Sequence, residues 1–271
     1  MRHTMTLTVA GVAWLLSAGV LAQSWNLPRG TAVKDNGPRT YRFTVDHTVT
    51  DTTGQVVQRQ RVQGDYTRGL AGGEASWSKV TVAESLGPAE LAGPGQPREF
   101  MEGFRYRTGP ASLGDTMKPE FFKGFPPAAV FERNLVWDTG MIEMFGQDQF
   151  EHLTLNTPYR VISGEDVNMP GVGTFHNRDV QLTWVGRSQR NGQDCAVIAY
   201  RAFFNPVKVA NAAMTLNARS HYWGEIWVSL STKQIEYATL QEDVLGEMKL
   251  AGQDASRTIS VFRNGVFEPL P

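Results

Sequence analysis

The alternation of polar and apolar residues constrains the fold of this chain most strongly. From Tyr41 to Asp46, for example, every second residue is a large apolar one, and similar runs recur beyond Asn26. A period of two places successive side chains on opposite faces of a strand, whereas an amphipathic helix has a period near 3.6 residues. The pattern therefore predicts a chain built mainly from antiparallel β-strands.

Turn residues separate these alternating runs. The strongest turn signal is Asn191-Gly192, because both central residues of a type I′ turn need a positive φ. The segment 207–216 is rich in Ala and Met, and its sequence fits either a helix or an ordered crossing loop. Strands are predicted at 41–46, 56–66, 75–83, 180–189, 195–204, 222–230, 235–244 and 257–262.

Residues 98–157 differ from the rest of the chain. Prolines occur at 119, 126 and 127, and proline is well tolerated in the first turn of a helix. Short helices are predicted near 119–123, 127–135 and 139–151. The preceding segment, 87–97, contains three prolines and three glycines and is predicted to be a long loop or an internal linker.

Together these elements predict a mainly β (α+β) fold. An antiparallel sheet of this size needs its apolar face covered. We expect a large curved antiparallel sheet, or half-barrel, with short helices covering its concave face. Residues 23–271 are expected to form a single β-rich domain with a helical, aromatic-rich insertion around 98–157.

The N-terminal residues resemble a secretory signal peptide. Arg2 and His3 precede an apolar stretch from Leu7 to Leu21, and small residues then fit signal peptidase cleavage after Ala22. The apolar stretch is short for a membrane-spanning helix, which needs about 20 residues. We therefore predict cleavage of residues 1–22 and export to the periplasm or the extracellular space.

Charge and cysteine content narrow the class of protein. The formal net charge is −1, which argues against a nucleic-acid partner. No apolar run of membrane-spanning length follows the leader, so no stable membrane span is expected after cleavage. Cys195 is the single cysteine, so no intramolecular disulfide can form. Its alternating apolar surroundings predict a small buried side chain.

The sequence contains no recognisable catalytic or metal-binding motif. Four histidines remain after the leader, at positions 47, 152, 176 and 221, and none has a close metal-ligand spacing. No GxSxG, HExxH, CxxC or dinucleotide-binding pattern is present. The sequence therefore predicts no cofactor and no metal, although folding could still assemble a histidine–carboxylate site.

Aromatic and methionine side chains are concentrated between residues 98 and 150. Large rings and flexible thioethers line adaptable apolar pockets, but they also fill ordinary cores. Core filling and a ligand cavity both remain open from the sequence. The candidate ligand-binding residues are Phe104, Tyr106, Phe121, Phe122, Phe131, Trp137, Met141, Met144 and Phe145.

The C-terminal third resembles the periplasmic lipoprotein carriers of the LolA and LolB type. The residues that carry the resemblance are the hairpins TWVGRSQRNGQDCAVIAYR at 183–201 and GEIWVSLSTKQIEYATLQEDV at 224–244. The resemblance is one of architecture, because no diagnostic binding residue matches. It implies a half-barrel that binds an acyl chain in its cavity without catalysis.

The predicted function is therefore non-enzymatic binding of an apolar or lipid-like small molecule, or of a hydrophobic segment of an envelope protein. Two alternatives remain from the sequence. One is an envelope hydrolase with a histidine–carboxylate site, and the other is a structural module for envelope assembly.

Overall fold

The computed structural model of the chain describes Leu27 and residues 32–109, 112–210 and 214–271. The predicted leader, 1–22, lies outside the described residues. The strands are β1 Arg39–Thr50, β2 Val56–Leu70, β3 Glu74–Leu86, β4 Gln96–Pro97, β5 Arg105–Arg107, β6 Tyr159–Met169, β7 Gly173–Arg190, β8 Gln193–Ala210, β9 Met214–Ser229, β10 Ile235–Leu250 and β11 Arg257–Pro269.

All eleven strands belong to one antiparallel sheet, which is curved and unclosed. Its order is β4-β3-β2-β1-β11-β10-β9-β8-β7-β6. Along this order, paired strands are consecutive in sequence except at the centre, where β1 pairs with β11; β5 pairs with β3 outside the order. There Phe43 lies opposite Phe267, and His47 lies opposite Arg263. The mainly β prediction is confirmed.

Among the described residues, two helices and four single turns lie between β4 and β6. The helices are α1 Ser112–Thr116 and α2 Val130–Glu143. Turns of 3₁₀-helix occur at Glu99–Met101, Pro119–Phe122 and Phe150–His152, and a π-helical turn occurs at Met144–Asp148.

Helix α2 and the turn after it pack against the concave face. The Phe145 ring lies 5.4 Å from that of Tyr200, and a Cβ on Gly146 would lie 3.0 Å from Ile226. The core beneath contains Trp77, Trp184, Tyr66 and Phe43, all 1% exposed or less.

The first turn of α2 contacts both sides of the curved sheet. Arg98, which follows β4, forms a 2.7 Å ion pair with Glu132. On the other side, a Cβ placed on Gly171, in the β6–β7 turn, would lie 3.0 Å from Arg133 Nη1. The sheet therefore curves far enough for one helical turn to bridge its two sides.

The predicted hairpins are confirmed, and their strands are longer than predicted. Asn191 and Gly192 connect β7 and β8 with φ values of 52° and 73°, as a type I′ turn requires. The second hairpin joins β9 and β10. The 3₁₀ turn at Pro119–Phe122 agrees with the helix predicted at 119–123.

Three local predictions were wrong. Residues 207–210 and 214–216 are strand, not helix or loop, because Val207, Val209 and Leu216 point to one face of the sheet. In place of the two helices predicted at 127–135 and 139–151, one helix, α2, runs from Val130 to Glu143 through Asp138, whose carboxylate pairs with the buried Arg263. The edge strand β6 was not predicted, since exposure of most of its residues removes the alternation.

Among the described residues, no helix is both long enough and apolar enough to cross a membrane.

Candidate functional site

An apolar surface continues along the concave face beyond the first turn of α2. Helix α2 reaches the level of His47 through Phe131, whose ring lies 5.0 Å from the imidazole. Beyond His47 the inward positions of β1 and β8 to β11 are almost all aliphatic. We call this surface the concave trough, formed by Val49, Val207, Val209, Leu216, Ala218, Val244, Ile259 and Val261.

Strand register places these side chains in adjacent rows. Val49 lies opposite Val261, which in turn lies opposite Val244. In the next row, Ala218 lies opposite Val207. Val207 and Val209 are buried, whereas the other members are half-buried, so the trough is partly open to solvent. Its aliphatic composition suits contact with an apolar chain.

A group of buried polar side chains lies at the inner end of the trough. Arg263 donates a 2.5 Å hydrogen bond to Glu242 Oε2, and its other terminal nitrogen donates to Asp138 on α2. Ser220 Oγ donates to Glu242 Oε1 at 2.6 Å. We call Asp138, Ser220, Glu242 and Arg263 the arginine cluster. It joins α2 to strands β9, β10 and β11.

Burial governs the electrostatics of this cluster. Burial, opposed by Arg263 and reinforced by Glu242, raises the pKa of Asp138 to about 6. Burial alone would lower the pKa of Arg263, but Asp138 and Glu242 offset it and raise that pKa above its ordinary value. Arg263 therefore keeps its charge, while Asp138 titrates only a little below neutral pH.

His47 lies beside the arginine cluster and is only 3% exposed. Neither of its ring nitrogens has a hydrogen-bond partner among the described residues. Burial, together with the nearby charge of Arg263, lowers the pKa of His47 to about 3. The imidazole is therefore neutral at pH 7, with one donor and one acceptor unused.

Further polar atoms in the same region are also unpaired. Thr139 Oγ1 and Arg263 Nε are buried without a hydrogen-bond partner within the described part of the chain. Buried polar groups in proteins are nearly always hydrogen-bonded, so several together indicate unused binding capacity. Chemically, the site combines the aliphatic trough with a polar end, where Arg263 is paired with two carboxylates and the neutral His47 has no hydrogen-bond partner among the described residues.

The structure distributes the nine predicted ligand-binding residues over the core and its border. Phe122, Trp137 and Phe145 are buried, and the other six are half-buried against the core. The rings contact one another: Phe104 and Phe121 lie 5.7 Å apart, and Phe122 and Trp137 lie 5.4 Å apart.

Phe131 connects this aromatic group to the trough through its contact with His47. Tyr106, Met141 and Met144 belong to the half-buried border of the core. A direct role of the nine residues in ligand binding stays a prediction.

The histidines and the cysteine are the other residues for which the sequence left a chemical role open. His176 Nδ1 and Asp166 Oδ1 lie 2.6 Å apart on the β6–β7 hairpin, and the Asp166 side chain is 73% exposed. His152 stacks on Tyr159. No group of three or more metal-ligating side chains occurs within the described ranges. Cys195 is fully buried, as predicted, and burial raises its pKa to about 11.

Sequence reasoning missed the trough and its arginine cluster. The alternation of Val207 and Val209 with the polar Lys208 is typical of a strand, but the Ala and Met residues nearby also fitted a helix or a loop. Arg263 and Asp138 are separated by 125 residues, so no local pattern relates them.

Comparison with known proteins leaves the family of this chain unassigned. No family model matches the sequence, and no curated protein matches it. A solved structure described as "lipid-protein interactions in lipovitellin" is similar, with a TM-score of 0.42 and 12% identity. The match covers 88% of this chain and 26% of that chain, so this chain spans about a quarter of it. A likeness this low gives no basis for assigning a function.

Proposed function

We propose that this chain is an exported, non-catalytic protein that binds an apolar, chain-like ligand in the concave trough. The observation that carries the proposal is the continuity of half-buried aliphatic rows with a buried polar cluster that has unused hydrogen-bonding groups. Pockets of this composition fix an apolar ligand by shape and orient it through a few polar contacts.

The two ends of the trough suggest how such a ligand is oriented. Val244, Val261 and Ile259 offer only apolar contacts, so the alkyl part lies over them. Arg263 and His47 offer hydrogen-bonding nitrogens at the inner end. A ligand with one polar end, such as a fatty acyl chain with its carboxyl or ester group, satisfies both environments.

Export rests on the signal-peptide pattern of residues 1–22. The prediction is that the mature protein begins at Gln23 in its own host, which the intact mass of the purified protein measures. A mass that includes residues 1–22 contradicts the export proposal. This measurement is independent of ligand binding.

The binding test uses two neighbouring residues that point to opposite faces of β11. Val261 lies in the trough, and Phe262 is 42% exposed on the outer face. We expect Val261→Asp to weaken binding of the apolar dye N-phenyl-1-naphthylamine at least tenfold, and Phe262→Asp to leave it unchanged. Oleate should displace the dye from the unmodified protein and from the control.

A second variant controls for the case in which Val261→Asp loses dye binding because it unfolds. Ala218 is half-buried in the trough, so a larger side chain at position 218 adds bulk there without adding charge. Ala218→Phe should also reduce dye binding while its urea denaturation midpoint remains near that of the unmodified protein. The proposal is contradicted if all four proteins bind the dye equally. It is also contradicted if displacement of the dye by oleate does not depend on Val261 and Ala218.

Native mass spectrometry of the protein purified from its own host then identifies the natural ligand. A stoichiometric apolar molecule, reduced in Val261→Asp but retained in Phe262→Asp, supports the trough as its site. A hydrophobic peptide in place of a lipid would indicate a partner segment.

A further inference from the structure

The outer face of the sheet contains a groove on the side opposite the concave trough. It has a volume of about 470 Å³ and is lined by Arg178, Asp179, Gln181, Arg201, Phe203 and Phe204. We call these six residues the convex groove. Small-molecule sites commonly have volumes of about 300–1,000 Å³, so the groove is of a size for a small ligand.

A β-bulge in β8 creates the aromatic part of this groove. Ala202 pairs with Tyr222 and Asn205 pairs with Ser220, so Phe203 and Phe204 together oppose the single residue His221. Bulges of this type redirect side chains and often occur next to binding sites. Here the bulge places two phenyl rings on the surface, 40% and 59% exposed.

The bulge requires an unfavourable backbone conformation at one residue. Phe204 has a φ of 59°, in the left-handed region that is unfavourable for a bulky residue. Strain of this kind persists only where the surroundings enforce it, and it is concentrated at functional sites. A glycine at position 204 would relieve the strain, yet the chain has a phenylalanine there.

Asn205 holds the bulge from inside the sheet. Its side chain is fully buried, accepts a 3.1 Å hydrogen bond from the Arg178 N–H, and donates a 3.2 Å bond to the Ser220 carbonyl. It therefore fixes the backbone of Arg178 relative to Phe204. The cationic and aromatic sides of the groove are positioned by one buried amide.

The charges around the groove are not balanced. Asp179 accepts hydrogen bonds from Arg160 at 2.7 Å and from Gln181 at 2.7 Å. Among the described residues, Arg201 hydrogen-bonds only to the neutral Gln181, at 3.1 Å, although its charge also acts on Asp179, and Arg178 has no ion pair. Together with Arg160, which lies outside the six residues, the two arginines of the groove give three guanidinium groups for one carboxylate, and a surplus of positive charge lies beside the exposed phenyl rings.

We propose that the convex groove binds a small organic anion, in which a phosphate or carboxylate is attached directly to an aromatic or short alkyl group. The anion lies against Arg178 and Arg201, and the apolar group covers Phe203 and Phe204. Guanidinium groups suit phosphate and carboxylate geometry, and the rings offer apolar contact area. This site is separate from the concave trough and does not depend on the function proposed for it.

Three probes separate the contributions of charge and ring. Phenyl phosphate carries both, inorganic phosphate carries the charge alone, and benzyl alcohol carries the ring alone. Binding is followed by amide chemical shifts in NMR titrations of the mature protein. We expect phenyl phosphate to bind at least tenfold more tightly than either of the other two, with the largest shifts in β7 and β8.

Matched variants then test the residues. Arg178→Gln and Phe204→Gly should each weaken phenyl phosphate binding at least fivefold. The controls Arg257→Gln and Phe262→Ala remove an exposed charge and an exposed ring elsewhere, and should leave it unchanged. Phe204→Gly should also melt at the same or a higher temperature, because strain is removed, which separates loss of binding from loss of folding.

Two outcomes overturn the proposal. One is that the protein binds the three probes with equal affinity, or that Arg178→Gln and Phe204→Gly leave its affinity for phenyl phosphate unchanged. The other is binding to vesicles of phosphatidylglycerol that needs Arg178 and Phe204, without binding of phenyl phosphate, which would make a lipid surface the occupant.

Discussion

The guanidinium of Arg68, on β2, donates a 2.8 Å hydrogen bond to Glu143 at the C-terminal end of α2. Tyr66 donates to the same carboxylate oxygen at 2.9 Å, and Gln147 accepts from Arg68 at 3.0 Å. All four side chains lie in the interior. This buried network fixes the end of α2 that is distant from the trough.

Removal of one partner from this network should be strongly destabilising. Arg68→Met leaves the Glu143 carboxylate without its cation, and breaking a buried ion pair typically costs about 3–5 kcal/mol. The double variant with Glu143→Leu should lose less, since the buried carboxylate is removed together with its cation and only the partly exposed Asp35 loses an ion pair. Urea denaturation followed by tryptophan fluorescence measures both, and a double variant less stable than Arg68→Met contradicts this account.

His47 should make the protein sensitive to acid. Its pKa falls from 6.5 to about 3 on folding, so its contribution to stability is present above pH 6.5 and is lost as pH falls towards 3. The full effect is on the order of 5 kcal/mol, at about 1.4 kcal/mol per pH unit. His47→Leu should therefore unfold less readily than the unmodified protein at pH 4.5, and the difference should shrink towards pH 7.

Asp138 should show the opposite dependence. Its pKa rises from 3.8 to about 6 on folding, so its stabilising contribution is present below pH 3.8 and is lost as pH rises through 6. In the His47→Leu background, addition of Asp138→Asn should remove a decrease in stability between pH 4 and 6. Urea midpoints measured across this range test it; parallel curves for the two proteins would show that Asp138 does not titrate there.

Gly224 marks a place where two backbone segments and a ring meet. A Cβ there would lie 2.1 Å from the Thr239 carbonyl oxygen and 2.6 Å from Tyr200 Oη. Gly224→Ala should cost about 1–3 kcal/mol, as overpacking does in well-packed cores. Gly114→Ala is the control, because nothing lies within 4 Å of its Cβ position and alanine favours a helix by about 0.5–1 kcal/mol.

The sequence supports prediction of the sheet because alternation and turn chemistry are local signals. Tyr41, Phe43 and Val45 alternate because one face of β1 is buried, and Asn191-Gly192 encodes its own turn geometry. Strand β6 lacks this signal, since an edge strand with exposed residues such as Glu165 and Asp166 needs no apolar face.

The candidate site depends on information that local patterns do not contain. The ion pair between Asp138 and Arg263 forms only because the packing of α2 against the sheet brings together two residues that are 125 positions apart. The trough likewise exists only once the register aligns Val49 with Val261 and Val244. The aromatic segment was recognisable from composition, but composition does not distinguish a core from a pocket.

The pairing of β1 with β11 has a consequence for how the chain folds. Tyr41 and Pro269 are cross-strand partners although 228 residues separate them. The central ladder therefore cannot form until β11 is available, and closing so long a loop costs conformational entropy before any contact is gained. Before that step, β1 and β10 each present an unpaired edge that can pair with another chain. A chain with this topology needs protection from aggregation during synthesis, and its folding rate should depend on the last strand more than on any hairpin.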